Sequence, residues 1–114
     1  MRRPIELVFN RMGYEVIEAN SAASGREQWM LHYARIDAVV SDNLLGPGPT
    51  GLSLLRAFLK DRPNVAAVLI SGVLTSEIID TIQSTSTIRC MQKPFDFKSL
   101  VELVARRIAE LNPK

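Results

Sequence analysis

The chain has 114 residues with 14 Lys plus Arg and 12 Asp plus Glu, which gives a formal net charge of +2. This length fits one small domain, and 46% hydrophobic with 23% charged residues excludes disordered, collagenous and coiled-coil chains. The small, dispersed positive surplus gives no basis for direct nucleic-acid binding. The one cysteine, Cys90, cannot form an intramolecular disulfide, and no apolar run reaches the length of a membrane span. Since the start also lacks a signal-peptide pattern, we expect a cytoplasmic protein without membrane contact.

The first part of the chain predicts two helices and two strands. Apolar residues recur at helical spacing over 5–12, and Gly13 follows, where a left-handed residue can close a helix. Residues 14–19 combine β-branched and aromatic side chains with polar ones, which predicts a strand. A polar pair then caps a second helix that runs to about residue 33. The short apolar segment 37–41 predicts a strand buried on both faces, as in a parallel sheet.

The second part continues the alternation of strands and helices. Its predicted elements are a loop at 43–51, a helix capped by Thr50, a strand at 65–70, a helix from Thr75 or Ser76, a strand at 88–92 and a helix capped by Asp96. Regular alternation of this kind predicts an α/β fold with a doubly wound parallel sheet and right-handed crossovers. Residues 1–114 are expected to form a single domain.

Three of the predicted strands end at a side chain that can take part in chemistry. These side chains are Asp42, Ser71 and Lys93. In an open α/β sheet, ligands bind beyond the carboxyl ends of the strands, so we expect the three to share one site. A lysine that neutralises an anion and a hydroxyl that donates to it suit a negative group that forms on, or is transferred to, Asp42.

From about residue 2 to 111, the chain resembles the receiver domains of two-component response regulators. The matching pieces are D-A-V-V-S-D ending at Asp42, L-L-G-P-G-P-T-G-L, V-L-I-S-G around Ser71, and Q-K-P-F-D around Lys93. The resemblance implies a flavodoxin-like fold and no enzyme activity. It also implies that Asp42 accepts a phosphoryl group from a histidine kinase or phosphotransfer protein, that Ser71 hydrogen-bonds this group and that Lys93 pairs with it. Mg²⁺ would bridge Asp42, the phosphoryl group and the backbone carbonyl of Leu44.

The sequence departs from this family at its start. The family opens with a strand that ends in two adjacent acidic residues, which hold Mg²⁺, whereas only residues 1–4 precede the first predicted helix here. We therefore expect an N-terminally truncated receiver that retains strands 2–5, with a weak metal site at Asp42 and Leu44 and slow or absent phosphorylation. An upstream start codon or a shortened gene model would produce the same sequence.

A missing first strand would leave a gap in the family's strand order of 2-1-3-4-5. The chain would pair residues 14–19 directly with 37–41, borrow a strand or helix from another copy, or expose a strand edge. We therefore expect a homodimer or strand exchange.

A further departure is Cys90, since receiver domains usually carry an aromatic residue three positions before the lysine. A small thiol cannot fill that space, so a signal would have to travel by another route.

Two functions remain open after other classes are excluded. The first is a phosphorelay receiver with impaired Mg²⁺-dependent chemistry. The second is a phosphorylation-independent pseudo-receiver that acts as an interaction or dimerisation module. An aspartate-nucleophile phosphohydrolase would need a second carboxylate two positions after Asp42, where the chain has Leu44. A dinucleotide-binding domain is excluded because no G-x-G-x-x-G follows a strand.

Overall fold

The computed structural model describes residues 2–43, 48–72, 75–76, 78–80 and 87–112. Its elements are α1 (Arg2–Arg11), α2 (Ala22–His32), a 3₁₀ turn (Tyr33–Arg35), β1 (Ala38–Asp42), α3 (Gly51–Asp61), β2 (Ala66–Ser71), β3 (Ile88–Gln92) and α4 (Phe97–Leu111). Residues 76 and 78–80 are also helical. Among the described residues, no helix combines the length and the apolar character needed to span a membrane.

The three strands form one parallel sheet in the order β1-β2-β3. Ala38 pairs with Ala66 at one end of the sheet, and Ser71 pairs with Gln92 at the other. All six residues of the central strand β2 are buried, which explains its uninterrupted apolar sequence. Because the strands are parallel and lie between helices, the predicted α/β fold with a parallel sheet is confirmed.

Residues 14–19 were predicted to form a strand, and this prediction is wrong. They belong to no strand, and in the described part of the chain β1 pairs with β2 alone. The segment is held by side chains instead, since Tyr14 and Val16 pack against the buried core, and the Tyr14 ring meets Phe9 edge-on. β-branched and aromatic residues favour a strand only where a neighbouring strand supplies hydrogen bonds. The described sheet therefore has three strands, one fewer than predicted, and 14–19 do not pair with β1.

Helix ends lie close to where capping residues predicted them. The side chains of Ser21, Thr50 and Asp96 each accept a hydrogen bond from the backbone N–H three residues later, at the start of α2, α3 and α4. Gly13 has φ of +94° and follows α1, as expected of a residue that closes a helix. Thr75 likewise accepts from the N–H of Ile78. These local interactions fix the lengths of the elements around the sheet.

Side chains of the sheet alternate between two helical layers. On one face, the core joins β2 to α1 and α4 and consists of Phe9, Val68, Ile70, Leu100, Val101 and Val104. On the other face, it joins β2 and β3 to α3 and consists of Leu52, Leu55, Ala67, Leu69, Ile78 and Ile88. Each fully buried aliphatic side chain contributes about 1.5–3 kcal/mol to stability. The described sheet is therefore covered by helices on both faces.

Candidate functional site

The three predicted site residues lie at the same edge of the sheet. Asp42 is the last residue of β1, Ser71 is the last residue of β2, and Lys93 directly follows β3. The pairing register brings them together, because Asp42 pairs with Ile70, the residue before Ser71, while Ser71 pairs with Gln92, the residue before Lys93. The site thus crosses the carboxyl ends of all three strands in the order Asp42, Ser71, Lys93.

Lys93 forms an ion pair with Asp42 across the end of the central strand. Its Nζ lies 2.8 Å from Oδ1 of Asp42. The two strands concerned are about 10 Å apart, since each neighbour adds about 4.8 Å, so the lysine side chain extends over the end of β2. The backbone N–H of Lys93 donates to the carbonyl oxygen of Ser71 at 2.9 Å, which fixes the base of that side chain. The Lys93–Pro94 peptide is cis.

The Asp42 side chain is partly exposed although one of its carboxylate oxygens is buried. Oδ1 is buried, and within the described residues its partner is the Lys93 ammonium group. The whole Asp42 side chain is nevertheless 35% exposed. The exposed surface therefore belongs to its other atoms, of which Oδ2 is the one able to act as a nucleophile. Since Lys93 is also 37% exposed, solvent screens the ion pair, and its contribution to stability is at most about 1 kcal/mol.

The backbone of Asp42 is held by both neighbours and by α3. The Ser41 hydroxyl donates to the Asp42 carbonyl oxygen at 2.9 Å, and the N–H of Asn43 donates to the carbonyl of Ile70 at 3.0 Å. Asn43 also accepts from α3, through its carbonyl oxygen from Gly51 N–H at 2.9 Å and through Oδ1 from Leu52 N–H at 3.2 Å. Sequence reasoning did not find Ser41, Asn43 or Gly51, because their roles depend on contacts between β1 and α3.

The described residues around Asp42 form no cluster of metal ligands. Mg²⁺ prefers six oxygen ligands and is usually held by one or two carboxylates with water and phosphate oxygens. In the ranges that the structure describes, no group of three His, Cys, Asp or Glu residues could hold a metal, and Lys93 occupies Oδ1 of Asp42. Leu44, the other predicted ligand, lies outside those ranges. We therefore derive no step through a metal ion.

Cys90 lies on β3 three residues before Lys93. Its half-buried side chain packs at the edge of the α3-side core with Leu59 and Val39. Burial raises the pKa of the Cys90 thiol, because desolvation disfavours the thiolate. The residue is therefore a small core side chain at neutral pH, as its position in an apolar strand predicts.

The chain is similar to a curated transcriptional regulator and to solved structures of receiver domain proteins. Over 111 residues the chain is 29% identical to the DNA-binding transcriptional regulator NtrC of Bradyrhizobium sp. (strain RP501 Parasponia). The matched stretch makes up 96% of this chain and 22% of the relative. A receiver domain protein of Clostridium thermocellum superposes with a TM-score of 0.81 at 22% identity over 95% of this chain and 85% of the other. A CheY-like receiver domain protein of Methanospirillum hungatei JF-1 gives 0.83 at 21% identity over 96% and 85%. No family model matches the sequence.

These likenesses define the fold. The chain has the flavodoxin-like fold of response regulator receiver domains, as its sequence motifs predicted. Its sequence is also similar to that of NtrC, a transcriptional regulator of which it spans about a fifth of the length, 22%.

Proposed function

We propose that this chain is a single receiver domain of a two-component system, in which Asp42 accepts a phosphoryl group from a histidine kinase or a phosphotransfer protein. The observation that carries the proposal is the 2.8 Å contact between Lys93 Nζ and Asp42 Oδ1 at the carboxyl ends of parallel strands. A fixed cation beside one carboxylate oxygen leaves the second oxygen accessible and supplies positive charge where phosphate charge arrives. The chain is thus a phosphoryl acceptor and not an enzyme with a substrate of its own.

The proposed step is an in-line displacement at phosphorus. Oδ2 of Asp42 attacks the phosphorus of a phosphohistidine, so that a P–O bond forms while the P–N bond breaks. The electron pair of the broken bond returns to the imidazole nitrogen, which then takes a proton from solvent. With acetyl phosphate as donor, the bond that breaks joins phosphorus to the acetyl oxygen, and acetate leaves. Such reactions depend mainly on positioning and on neutralisation of charge.

Charge neutralisation at this site is incomplete, and this sets the expected rate. A phosphoryl group brings a charge of about −1.5 to −2 at neutral pH. Lys93 supplies one positive charge, and the described residues contain no cluster of metal ligands that could bind a cation and supply more. We therefore propose slow phosphorylation in this chain, with Ser71 as a hydrogen-bond donor to the phosphoryl oxygens. Ser71 suits this role because it is buried at the end of the strand between Asp42 and Lys93.

A pseudo-receiver that acts by protein association is the second candidate. Two observations favour it. The described residues contain no cluster of metal ligands, and the outer edge of β1 carries no neighbouring strand in the described ranges. An unpaired strand edge is a template for association, so this candidate includes a homodimer or an exchange of strands. Sedimentation velocity over a range of concentrations measures this directly. We also propose a cytoplasmic location for both candidates, in keeping with the single cysteine.

The experiment that separates the two candidates is intact-mass measurement after incubation with acetyl phosphate and Mg²⁺. We expect the wild-type chain to gain about 80 Da, one phosphoryl group, over a slow time course. Asp42→Asn should gain nothing. Asp37→Asn is the matched control, because Asp37 is an exposed aspartate just before β1, at the end of the strand far from the site, and this variant should react like the wild type. A wild-type chain that never reacts, or an Asp42→Asn variant that does, would exclude the phosphoacceptor role.

A further inference from the structure

We propose that Gly51 is a positioning residue for Asp42. The inference rests on the proposed function and adds to it a residue that touches neither phosphate nor donor. Gly51 is the first residue of α3, it is buried, and it lies against the peptide group that carries the Asp42 side chain. The absence of a side chain at position 51 sets how closely α3 approaches the end of β1.

The start of α3 lies so close to the end of β1 that position 51 has no room for a Cβ. A Cβ at position 51 would lie 1.9 Å from the carbonyl oxygen of Asp42, 2.8 Å from its carbonyl carbon and 2.8 Å from Oγ of Ser41. Two of these atoms belong to backbone and the third is a buried hydroxyl that donates to the same carbonyl oxygen. None of them is the free end of a flexible chain. A residue with a side chain would therefore push α3 and the end of β1 apart by about 1 Å or more.

Hydrogen bonds also fix the position of α3 relative to the end of β1. Asn43, the residue after Asp42, accepts from both Gly51 N–H and Leu52 N–H. Its own N–H donates to Ile70 and continues the pairing of β1 with β2. The first N–H groups of α3 thus bind Asn43, the residue after Asp42. The hydroxyl of Ser41, the residue before it, binds the Asp42 carbonyl oxygen. A shift of the helix start would rotate the Asp42 peptide and move its carboxylate relative to Lys93.

The proposal predicts what Gly51→Ala does to the site. The Asp42 carboxylate moves away from Lys93, and a displacement of about 1 Å at reacting groups can cost on the order of 100-fold in rate. The rate of phosphorylation by acetyl phosphate should therefore fall by that order. Gly25→Ala is the matched control, because a Cβ there meets Leu54 Cδ2 at 3.4 Å and Ala19 Cβ at 3.8 Å, which are ordinary contacts. Its rate should equal that of the wild type.

A second readout does not depend on phosphorylation. Amine-selective acetylation, followed by peptide mass spectrometry, gives the labelling of Lys93 relative to exposed Lys98 in the same molecule. In the wild type, the ion pair with Asp42 should protect Lys93, and Gly51→Ala should raise the ratio whereas Gly25→Ala should not. Asn43→Ala tests the same geometry without a clash, since it removes the acceptor for Leu52 N–H and keeps Cβ. It should raise the ratio by a smaller amount, and it serves as the test if Gly51→Ala does not fold.

The outcomes separate this inference from the proposed function. If the wild type reacts at Asp42 and Gly51→Ala reacts as fast with an unchanged Lys93 ratio, Gly51 does not position Asp42 while the receiver function stands. If the wild type does not react, the proposed function is wrong, and the labelling ratio still decides the role of Gly51. A slower Gly51→Ala with the wild-type labelling ratio would mean that the substitution acts elsewhere, and would overturn the inference.

Discussion

Asp42 ends one outer strand of the described sheet and Lys93 directly follows the other, yet Lys93 Nζ lies 2.8 Å from Asp42 Oδ1. The lysine reaches its partner over the end of β2, where Ser71 is buried. This relationship places the positive charge at the buried carboxylate oxygen, while the Asp42 side chain as a whole is 35% exposed. Its value is chemical more than energetic, because an ion pair this exposed stabilises the fold by at most about 1 kcal/mol.

Replacement of Lys93 should separate reactivity from stability. Lys93→Met removes the charge that neutralises Asp42, and loss of one such electrostatic group typically lowers a rate on the order of 100-fold. The free energy of unfolding in urea should change by less than about 1 kcal/mol, and more weakly still in high salt. Lys98→Met, at an exposed position on α4, is the control and should leave both quantities unchanged. Unchanged phosphorylation in Lys93→Met would show that the ion pair has no part in the reaction.

The cap of α4 should make stability depend on pH in the acid range. Hydrogen bonds from the side chain and then the backbone of Ser99 lower the pKa of the Asp96 carboxyl group, and Ser99 N–H lies 2.7 Å from Oδ1. A lowered pKa in the folded state means that the carboxylate stabilises the fold above its unfolded pKa of about 3.8 and loses this effect as pH falls through the folded value. Asp96→Ala should therefore be less stable than the wild type at pH 7.

Thermal unfolding followed by circular dichroism at several pH values tests this prediction. The difference in melting temperature between wild type and Asp96→Ala should be constant above about pH 5 and should shrink below the unfolded pKa. Asp96→Asn retains an acceptor at all pH values and should show less pH dependence than the wild type. A difference in melting temperature that stays constant down to pH 2 would mean that the carboxylate charge does not contribute.

Trp29 should fix the packing of α2 on α3. Its indole is 4% exposed, stacks on Phe58 with ring centroids 4.4 Å apart, and donates from Nε1 to Oδ2 of Asp61 at 2.8 Å. Trp29→Phe keeps an aromatic ring but loses the hydrogen bond to a charged acceptor, so unfolding in urea should become easier by about 1–3 kcal/mol. Asp61→Asn retains an acceptor oxygen and should cost less. Equal stability of Trp29→Phe and wild type would contradict this account of the contact.

The thiol of Cys90 should react slowly at neutral pH. Because burial raises its pKa and the thiolate is the reactive form, alkylation by iodoacetamide should be slower in the folded protein than in urea. The rate should rise steeply above pH 9 as the thiolate forms. Mass spectrometry of the alkylated chain gives both rates. Equally fast alkylation of folded and unfolded protein at pH 7 would contradict the burial of this side chain.

Local and non-local features differ in how well the sequence predicts them. Gly13, Thr50 and Asp96 end or begin helices through contacts within a few residues, so their roles could be predicted from neighbouring residue types. Residues 14–19 have the composition of a strand, but a strand also requires a partner, and pairing is decided elsewhere in the chain.

The candidate site shows the same division. Asp42, Ser71 and Lys93 could be placed at one edge because the carboxyl ends of parallel strands meet there. The close approach of Gly51 to the Asp42 carbonyl joins residues on different elements and leaves no room for a Cβ, whereas the sequence showed only a loop rich in glycine and proline. Close packing of this kind depends on the completed fold.

Locating the phosphoryl group after reaction tests most directly whether Asp42 is its acceptor. Borohydride reduces an aspartyl phosphate to homoserine and leaves free aspartate unchanged, so peptide mass spectrometry after acetyl phosphate treatment identifies the acceptor. We expect homoserine at position 42, with less of it in Lys93→Met and none at Asp37. Homoserine at another aspartate, or at none after long incubation, would contradict the assignment of Asp42 as the phosphoryl acceptor.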